Sequence, residues 1–476
     1  MPSPRFGAAC LAAAFFLCRL AAADLRPPEK IVAEVCAGCH GPLLTGANGP
    51  NLLDWLNHHG NDDASVRASI VDGWPAFGMP AFGPVLAPGE VDALVAYIRR
   101  QRAEFAAGRL KAPVPPDSFA VASERQSFRV ETVVANLATP WGLAFLSDGS
   151  WLVSEREGRL RLIRDGRLDP APVRGTPKAF VRQDGGYLDV IAHPRHAENG
   201  WVYLAYSETG DAPDRTMTVI VRGRIRAGAW EDQQEIFRGP PRSYIAGDYS
   251  HYGCRFLFDA AGHLFFTIGD RGRPAEAQDL SSPLGKIHRV HDDGRIPADN
   301  PFAGRADVWP SVWSYGHRHP QGLEFHPVTG KLWATEHGPR GGDELNRIEP
   351  GRNYGWPLIS HGRPQNRETI GGTHREGLEQ PAAFWPRSLA PNAITFSASE
   401  RYPGWKNQLL VATLVGEQVV RIETDGDRAG HQETLFHRLG RVRDIVTGPD
   451  GFLYVVFNNP GRIARIVPTP PATAAR

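Results

Sequence analysis

A hairpin pattern that recurs six times is the feature that most constrains the fold of this 476-residue chain. Each copy has an apolar strand, a turn that carries glycine, proline or aspartate, and a second apolar strand. The copies begin at Gly142, Leu188, Cys254, Gly322, Ala393 and Asp444, about sixty residues apart on average. That spacing is enough for one four-stranded blade with long loops, so the pattern predicts a six-bladed β-propeller. A β-sandwich, the alternative all-β fold, would not give six similar hairpins at this spacing.

The first residues of the chain are typical of an export signal. A positive charge at Arg5 precedes an apolar run from Ala8 to Leu17, and Ala21-Ala22-Ala23 follows. The run is short and Arg19 interrupts it, so an uncleaved membrane anchor is the weaker interpretation. We therefore expect residues 1–23 to be a signal peptide. The mature protein is then expected to be periplasmic or secreted, with no transmembrane segment left after cleavage.

Composition limits what stabilises the mature chain and what it binds. It holds Cys36, Cys39 and Cys254, too few for a framework of disulfide bonds. Stability must come from a large apolar core, which 41% hydrophobic residues can build. The formal net charge of +1 argues against a polyanionic partner such as nucleic acid. Cys254, at the start of a strand, is expected to be a small buried residue without a chemical role.

The sequence Cys36-Ala37-Gly38-Cys39-His40 is a haem-attachment motif. In this motif the two thiols bond covalently to the haem and the histidine coordinates the iron. A thioredoxin-type redox pair does not require the histidine, and a zinc site needs a second pair of ligands that the sequence does not offer. We therefore expect haem c, attached through Cys36 and Cys39 and ligated by His40.

A second axial ligand is expected from Met79, some forty residues later in the loop "GWPAFGMPAFG". His58 and His59 are its alternatives. The loop leads into "LAPGEVDALVAYIRRQR", an amphipathic helical pattern. Together these features resemble a class I cytochrome c, a small all-α domain that we expect over residues 24–103.

The composition changes twice after this domain. Residues 104–127 are rich in proline, alanine and serine and predict a semi-rigid linker. From residue 128 to residue 470, short β-rich runs alternate with turns that carry glycine and aspartate. We therefore expect the all-β six-bladed propeller to occupy residues 128–470.

Several propeller loops carry polar residues that turns do not need. They include "SHYGCR", "GHRHPQGL", "EHGPRGGDELN", "NYGWP" and "GRVRDIV". In combination these motifs resemble the soluble glucose and aldose sugar dehydrogenase family, over about residues 128–467. That family uses pyrroloquinoline quinone (PQQ) and Ca²⁺, so the resemblance implies both cofactors here.

The resemblance implies roles for five propeller residues. His251 would be the general base that takes the proton of the sugar hydroxyl. Arg318 would polarise the quinone carbonyls, and Arg441 and Arg443 would face the carboxylates of the cofactor. Trp385 would form an aromatic wall over the quinone. Without the resemblance, His251 is more simply a packed loop residue and the arginines are surface residues.

The same resemblance implies a calcium site on the "EHGPRGGDE" loop. The backbone carbonyls of Gly338 and Pro339 would hold the ion, a hard cation that prefers oxygen ligands. Asp343 and Glu344 would support this loop or bind a second calcium ion. Solvated acids in a turn are the alternative for these two residues.

The chain also departs from the family pattern where relatives contact the sugar. The departures are Asp184 in place of glutamine, with Gln183 one place earlier, His319 in place of asparagine, Ser250 in place of aspartate, Val415 in place of lysine and Phe384 in place of tyrosine. Asp184 is therefore only a possible substrate contact. The identity of the sugar does not transfer from relatives.

The predicted function is oxidation of an aldose sugar, or a related polyol or aldehyde, by hydride transfer to PQQ. The electrons would pass to the haem of the same chain and then to a downstream cytochrome, quinone or terminal oxidase. A calcium-dependent propeller hydrolase such as a lactonase is one alternative, although it has no use for haem. A binding propeller with an electron-transfer domain is the other, and it would not need His251 and Arg318 together.

Overall fold

The computed structural model describes residues 25–41, 43–44, 52–53, 60–74, 79–110, 116–364, 370–426, 428–437 and 439–469. The chain divides into two compact units, residues 1–112 and residues 113–476. The expected signal peptide and the two alternative haem ligands, His58 and His59, lie outside the described residues. Within the described ranges, no helix has the length and apolarity that crossing a bilayer requires.

The N-terminal unit is helical. Its helices are Pro28–Ile31, a π-helical turn Val32–Cys36, Ala37–His40, Asp63–Val71 and Pro88–Ala106. The longest begins with Pro88 at its first position, where a missing N–H costs nothing, and its apolar residues recur on one face. That face, with Val91, Leu94 and Ile98, packs against Ile31 and Val32 of the first helices.

The C-terminal unit is a six-bladed propeller, as the hairpin pattern predicts. Blade 1 is β3(Pro140–Phe145), β4(Trp151–Glu155), β5(Arg159–Arg164) and β6(Arg167–Leu168), and blade 2 is β7(Tyr187–Ala192), β8(Trp201–Thr209), β9(Arg215–Arg226), β10(Ala229–Arg238) and β11(Ile245–Ala246). Blade 3 is β12(Phe256–Phe258), β13(Leu264–Ile268), β14(Lys286–Val290) and β15(Val312–Tyr315), and blade 4 is β16(Pro320–Phe325), β17(Leu332–Glu336), β18(Asp343–Ile348) and β19(Ala383–Trp385). Blade 5 is β20(Pro391–Phe396), β21(Leu409–Thr413), β22(Gln418–Asp425) and β23(Arg428–His437).

Blade 6 joins the two ends of the unit. Its strands are β24(Arg441–Thr447), β25(Leu453–Asn459), β26(Gly461–Pro468), β2(Phe128–Val134) and β1(Ser118–Val121), in that spatial order. The register places Phe128 opposite Pro468. Each innermost strand, from β3 to β24, lies against the innermost strands of the two neighbouring blades, and β24 lies against β3. The ring is therefore closed by pairing the first strands of the unit with its last strand.

Each of the six sequence copies forms the first two strands of one blade, so their interpretation is confirmed. The expected linker, residues 104–127, contains regular structure at both ends. The last helix of the N-terminal unit continues to Ala106, and Ser118–Val121 forms β1. The short sequence "SFAV" pairs with β2 because both ends of blade 6 offer a strand edge.

Neighbouring blades are joined by apolar cores and by hydroxyl groups on the second strands. Ser154 donates to the carbonyl of Leu188 at 2.5 Å, and Thr335 donates to the carbonyl of Asn392 at 2.6 Å. In both cases a second strand is tied to the inner strand of the next blade. Cys254 is fully buried in the core between blades 2 and 3, as its sequence position predicts.

Candidate active site

The candidate site lies at the end of the propeller channel where the inner strands begin. In an antiparallel blade, the start of the inner strand and the end of the second strand lie at the same end of the channel. Loops at this end therefore come together from different blades. His251 precedes β12, Asp270 follows β13, Arg318 and His319 precede β16, and His337 follows β17.

His251 is paired with a buried aspartate. Its Nδ1 atom lies 2.6 Å from Oδ1 of Asp270, and Nε1 of Trp356 donates to Oδ2 of the same carboxylate at 2.8 Å. Burial acts to raise the pKa of Asp270, but the charge and hydrogen bond of His251, with Arg318 and Trp356, lower it below its usual value. The carboxylate therefore stays ionised and favours a proton on Nδ1, which leaves Nε2 of His251 as the basic atom.

The loop that carries His251 is fixed by a buried arginine. Arg271 is 0% exposed, and it donates to the carbonyls of Ser250 at 2.7 Å and Asp248 at 2.8 Å. Its guanidinium carbon lies 3.7 Å from the ring centroid of Tyr252. The backbone on both sides of His251 is thus held by contacts that do not involve its ring.

His319 lies directly beside His251. The two rings stack with centroids 4.8 Å apart and planes 26° apart. Nε2 of His319 lies 2.5 Å from Nε2 of Gln321. Burial above all, and then the surrounding histidines and arginines, hold the pKa of His319 well below its usual value, so this imidazole is neutral.

Arg318 is held at its backbone and at its guanidinium. Its amide donates to Oε2 of Glu336 at 2.8 Å, and Nη1 donates to the carbonyl of Gly338 at 3.0 Å. The guanidinium carbon lies 5.4 Å from the ring centroid of Trp356, which also contacts Asp270. The expected quinone-polarising residue therefore belongs to the same cluster as the expected base.

Arg443 brings positive charge to this end of the channel. Its Nη1 donates to Oε1 of Gln321 at 3.5 Å, and its guanidinium carbon lies 5.2 Å from the ring centroid of Trp141. Burial and then Arg441 lower the pKa of Arg443, whereas Asp184 opposes this shift. The guanidinium nevertheless remains charged at physiological pH.

Asp184 lies close enough to influence this arginine electrostatically, although its own side chain is exposed. Its amide donates to the carbonyl of Tyr249 at 3.2 Å, which holds its loop beside the segment of His251. Within the part of the chain that the structure describes, Nε of Arg443 is buried and has no hydrogen-bond partner. The cluster thus contains an unused donor on a half-buried cation.

The glycine-rich loop after β17 is tightly folded. A Cβ atom at Gly338 would lie only 2.3 Å from the carbonyl oxygen of Gly341. Asp343 holds the loop closed: Oδ1 accepts from the amide of Gly338 at 2.9 Å, and Oδ2 accepts from the amides of Leu389 and Ala390, both at 2.8 Å. Both oxygens are therefore engaged within the protein, as expected of a residue that supports this loop.

Glu344 faces a second carboxylate across the sheet, since it pairs with Glu336 in the register of β17 and β18. Nδ2 of Asn346 donates to both carboxylates, at 3.0 Å to Glu336 and 3.1 Å to Glu344. Burial and the neighbouring Glu336 raise the pKa of Glu344 well above its usual value. No group of three or more metal-binding histidine, cysteine or acidic side chains is found among the described residues.

Trp385 does not join the cluster, and its expected role as a wall over the quinone is not supported. Its side chain is 8% exposed and packs in the core between blades 4 and 5 with Trp333 and Leu345. Its Nε1 donates to Oε1 of Gln432 at 2.9 Å. Successive residues of a strand point to opposite faces, so Phe384 is the side chain that β19 exposes, and it stacks on His361.

Below the cluster, one residue from each blade meets on the channel axis. The six are Trp141, Asp189, Arg255, Gln321, Asn392 and Asp444. Arg255 contacts all the others: Nη1 lies 3.1 Å from Asp189 and 3.0 Å from Asp444, Nε donates to the carbonyl of Gln321 at 3.1 Å, Nη2 donates to Asn392 at 3.5 Å, and Cζ lies 4.6 Å from the ring centroid of Trp141. Arg255 thus ties residues of all six blades together.

In the N-terminal unit, the haem-attachment residues lie on consecutive helical turns. Cys36 and Cys39 are free thiols, and burial and then Cys39 raise the pKa of Cys36 to about 11. His40 is 7% exposed. Met79 is held by two backbone hydrogen bonds to Trp74, at 2.8 Å and 3.2 Å.

Sequence reasoning missed three members of the propeller cluster: Asp270, Gln321 and His337. Asp270 contacts the His251 ring through its carboxylate, the Gln321 amide contacts Gly253 and Arg443, and the His337 ring contacts that of His319, so these contacts join residues that are distant in sequence. One signal was present for Asp270, since an acid directly after the fully apolar strand in "HLFFTIGDRG" is placed where burial is expected.

Comparison with known proteins decides the family. Residues 137–465 match the family described as "Glucose / Sorbosone dehydrogenase". The chain belongs to the glucose/sorbosone dehydrogenase family. Residues 23–98 match a second family, described as "Cytochrome C oxidase, cbb3-type, subunit III". The protein is thus an oxidoreductase of the glucose/sorbosone dehydrogenase family, with an aldose sugar dehydrogenase propeller joined to a cytochrome c domain.

Individual relatives of this glucose/sorbosone dehydrogenase agree with that assignment. It is 36% identical to the aldose sugar dehydrogenase YliI of Escherichia coli, over 71% of this chain and 92% of the relative. It is 25% identical to quinoprotein glucose dehydrogenase B of Acinetobacter calcoaceticus, over 74% of this chain and 90% of that relative. The PQQ-bound aldose sugar dehydrogenase of Streptomyces coelicolor superposes with a TM-score of 0.58 at 28% identity, over 75% of this chain and 100% of that structure.

Proposed function

We propose that the propeller oxidises an aldose sugar at its anomeric carbon with PQQ, and that the electrons pass to a haem c in the N-terminal unit. The observation that carries the proposal is the pair of His251 and ionised Asp270 beside the buried cation Arg318 and the half-buried cation Arg443. A related polyol or aldehyde is the alternative substrate class.

The residues present fit PQQ, which carries several carboxylates. Arg443 has a buried Nε without a partner in the described ranges, and it lies near the positive charges of Arg441 and Arg255. Two neighbouring arginines, Arg441 and Arg443, with an unused donor on one of them favour an anionic ligand. The relatives named as quinoprotein and as PQQ-bound support the same cofactor.

The residues also fit a calcium ion beside that cofactor, although they supply only part of its coordination. Gly338 and Pro339 would offer backbone carbonyl oxygens, the hard donors that Ca²⁺ prefers, and the Gly338 oxygen would be shared with Nη1 of Arg318, which donates to it at 3.0 Å. Asp343 is not available because its carboxylate closes the loop. Glu344 has one hydrogen bond to Asn346 and a raised pKa, which favours a neutral group over a calcium ligand.

The N-terminal unit fits haem c by the chemistry of its donors. Cys36 and Cys39 would supply the two thioether bonds, and His40 and Met79 the two axial ligands. When bound, PQQ supplies a two-electron hydride acceptor, Ca²⁺ polarises it, and haem iron supplies a one-electron acceptor.

The side chains of this protein would position and deprotonate the sugar. Nε2 of His251 takes the proton from the anomeric hydroxyl, and Asp270 stabilises the resulting imidazolium through Nδ1. Arg318, held by Glu336 and the Gly338 carbonyl, places a fixed planar cation where negative charge develops. Asp184, exposed beside Arg443, is the proposed contact to the sugar.

The covalent link between the two units would raise the effective concentration of haem near the propeller, so that no diffusing acceptor is needed for the first transfer. The haem would then pass electrons to an external cytochrome, quinone or terminal oxidase. We also propose export to the periplasm or the medium through a signal peptide at residues 1–23.

The test uses the full chain, purified with haem and stripped of PQQ and calcium. Dye-linked oxidation of aldoses should return only when both PQQ and Ca²⁺ are added, and the sugar should then reduce the haem at a rate independent of protein concentration. Activity in excess chelator without PQQ would refute the proposal. The double variant Cys36→Ser, Cys39→Ser is the control, because it should lose haem and keep dye-linked activity.

A further inference from the structure

The orientation of the Gln321 amide follows from its partners. Its Oε1 accepts a hydrogen bond from Nη1 of Arg443 at 3.5 Å, and its Nε2 donates to the carbonyl of Gly253 at 3.2 Å. A guanidinium only donates and a carbonyl only accepts, so the amide cannot be reversed. Nε2 of Gln321 therefore faces Nε2 of His319, 2.5 Å away, as a donor.

The tautomer of His319 follows in turn. Its Nε2 must accept from Gln321, so its proton is carried by Nδ1. The ring is 6% exposed, and burial, with His251, His337, Arg318 and Arg443 around it, disfavours a second proton. His319 is therefore a neutral ring in one tautomer, and it is not itself a base.

The ring of His319 covers one face of the His251 ring, with centroids 4.8 Å apart. The Nδ1 edge of His251 is held separately by Asp270, at 2.6 Å. The charged groups around this pair are Asp270, Arg318 and Arg443, together with Arg271, which binds the adjacent carbonyl of Ser250. The contact with Asp270 fixes the Nδ1 edge of the His251 ring, and stacking on His319 fixes the plane of that ring.

We propose that His319 is a positioning residue for His251: it fixes the ring plane by stacking and is itself fixed by Gln321, which also holds Arg443. The inference rests on the proposed function, in which His251 takes the substrate proton. One network of four side chains then aligns the base with an arginine of the cofactor pocket. An asparagine, which the family pattern has at position 319, cannot stack in this way.

Two variants and one matched control test the proposal in the full chain. His319→Asn removes the ring, and His319→Phe keeps a ring over the same face without nitrogen atoms. The control is His291→Asn on the outside of blade 3. The ring centroids of His291 and His263 lie 5.0 Å apart, and Nδ1 of His263 contacts Asp259 at 2.9 Å. The control therefore removes the same kind of histidine neighbour at a place far from the site.

The first measurement needs neither cofactor nor activity. Diethyl pyrocarbonate modifies neutral imidazoles, and peptide mass spectrometry gives its rate at His251 across a pH series. In His319→Asn this rate should rise several-fold because one ring face is uncovered, and the midpoint of the pH series should shift. His319→Phe and His291→Asn should keep the parental rate. A parental rate and midpoint in His319→Asn would overturn the proposal.

The second measurement is steady-state turnover with PQQ and calcium saturating. His319→Asn should lose about 10–100-fold in kcat with little change in KM, since small misplacement of a reacting group costs up to about that factor. His319→Phe should keep most of kcat. If His319→Asn does not fold, the test rests on His319→Phe. A faster modification of His251 in that variant than in the parent would contradict the proposal that a stacked ring covers His251. A parent without PQQ-dependent activity would refute the proposed function, while the modification rates would still judge the role of His319.

Discussion

Arg255 of blade 3 and Asp444 of blade 6 form a buried ion pair on the propeller axis, with Nη1 and Oδ1 3.0 Å apart. The same Nη1 atom lies 3.1 Å from Asp189 of blade 2. Burial raises the pKa of Asp189 to about 7, Arg255 opposes this rise, and the Asp444 carboxylate adds to it. One guanidinium thus balances two carboxylates at the point where blades 2, 3 and 6 meet.

Replacing Arg255 by Met should destabilise the propeller by about 3–5 kcal/mol, the usual cost of leaving buried charges without their partner. Urea unfolding followed by tryptophan fluorescence measures the loss. The triple variant Arg255→Met, Asp189→Asn, Asp444→Asn should recover most of it. Arg305→Met removes an exposed pair with Asp307 and should change stability by less than about 1 kcal/mol. Equal stability of Arg255→Met and the parent would contradict the interpretation.

His251→Gln should lower turnover by about 10²–10⁴-fold, the usual contribution of a positioned general base. Asp270→Asn should cause a loss of similar size because the amide no longer stabilises the imidazolium. PQQ affinity, measured by titration, should change little in either variant. Asp259→Asn, which alters the His263 pair, is the matched control. If His251→Gln reduces bound quinone at the parental single-turnover rate, another group is the base.

Met79→Ala should abolish the charge-transfer absorption band of methionine-ligated haem and lower the reduction potential. Visible spectra and a redox titration of the exported protein measure these effects. His58→Ala and His59→Ala serve as controls and should leave both properties unchanged. An unaltered spectrum in Met79→Ala, with a change in either histidine variant, would reassign the axial ligand.

The N-terminal unit should lose stability in acid through Glu90. Its Oε1 accepts from Nε of Arg26 at 2.7 Å, and its Oε2 accepts from the Ala87 amide at 2.9 Å. The Arg26 hydrogen bond is the largest cause that lowers the pKa of Glu90 to about 2 from an ordinary 4.5. A lowered carboxyl pKa stabilises the fold above pH 4.5, and this contribution is lost as pH falls towards 2.

Glu90→Gln should therefore be less stable than the parent at neutral pH, and the difference should shrink between pH 4.5 and pH 2. Denaturant unfolding followed by haem absorbance measures it. Asp72→Asn, at an exposed position directly after the helix Asp63–Val71, is the control. If the difference in unfolding free energy between Glu90→Gln and the parent grew as the pH fell, the expected pH dependence would be wrong.

The blades were predictable because inner and second strands are apolar and recur with similar turns. The sequence did not predict the outer strands, such as β6(Arg167–Leu168), or the closing strand β1(Ser118–Val121). These strands are short or half-exposed, and they form only by pairing with a neighbouring strand. The motif did not indicate which side chain β19 buries, and the structure places Trp385 in the core between blades 4 and 5 while Phe384 is exposed.

The site was only partly predictable for a related reason. His251, Arg318 and Arg443 stand in recognisable motifs, and the structure brings them into one cluster. Asp270 contacts His251 across the first hairpin of blade 3, at 2.6 Å, and Gln321 of blade 4 contacts Gly253 of blade 3 and Arg443 of blade 6. These contacts form only when the chain has folded, so no local pattern marks them.

The pairing of β2(Phe128–Val134) with β26(Gly461–Pro468) sets the order in which this protein can be made. During synthesis β2 emerges hundreds of residues before its partner, and its strand edge on that side stays unpaired until β26 has been made. The haem-attachment helices are complete long before that moment. A chain cut before β26 would therefore keep the Cys36–His40 motif but carry an open, aggregation-prone ring.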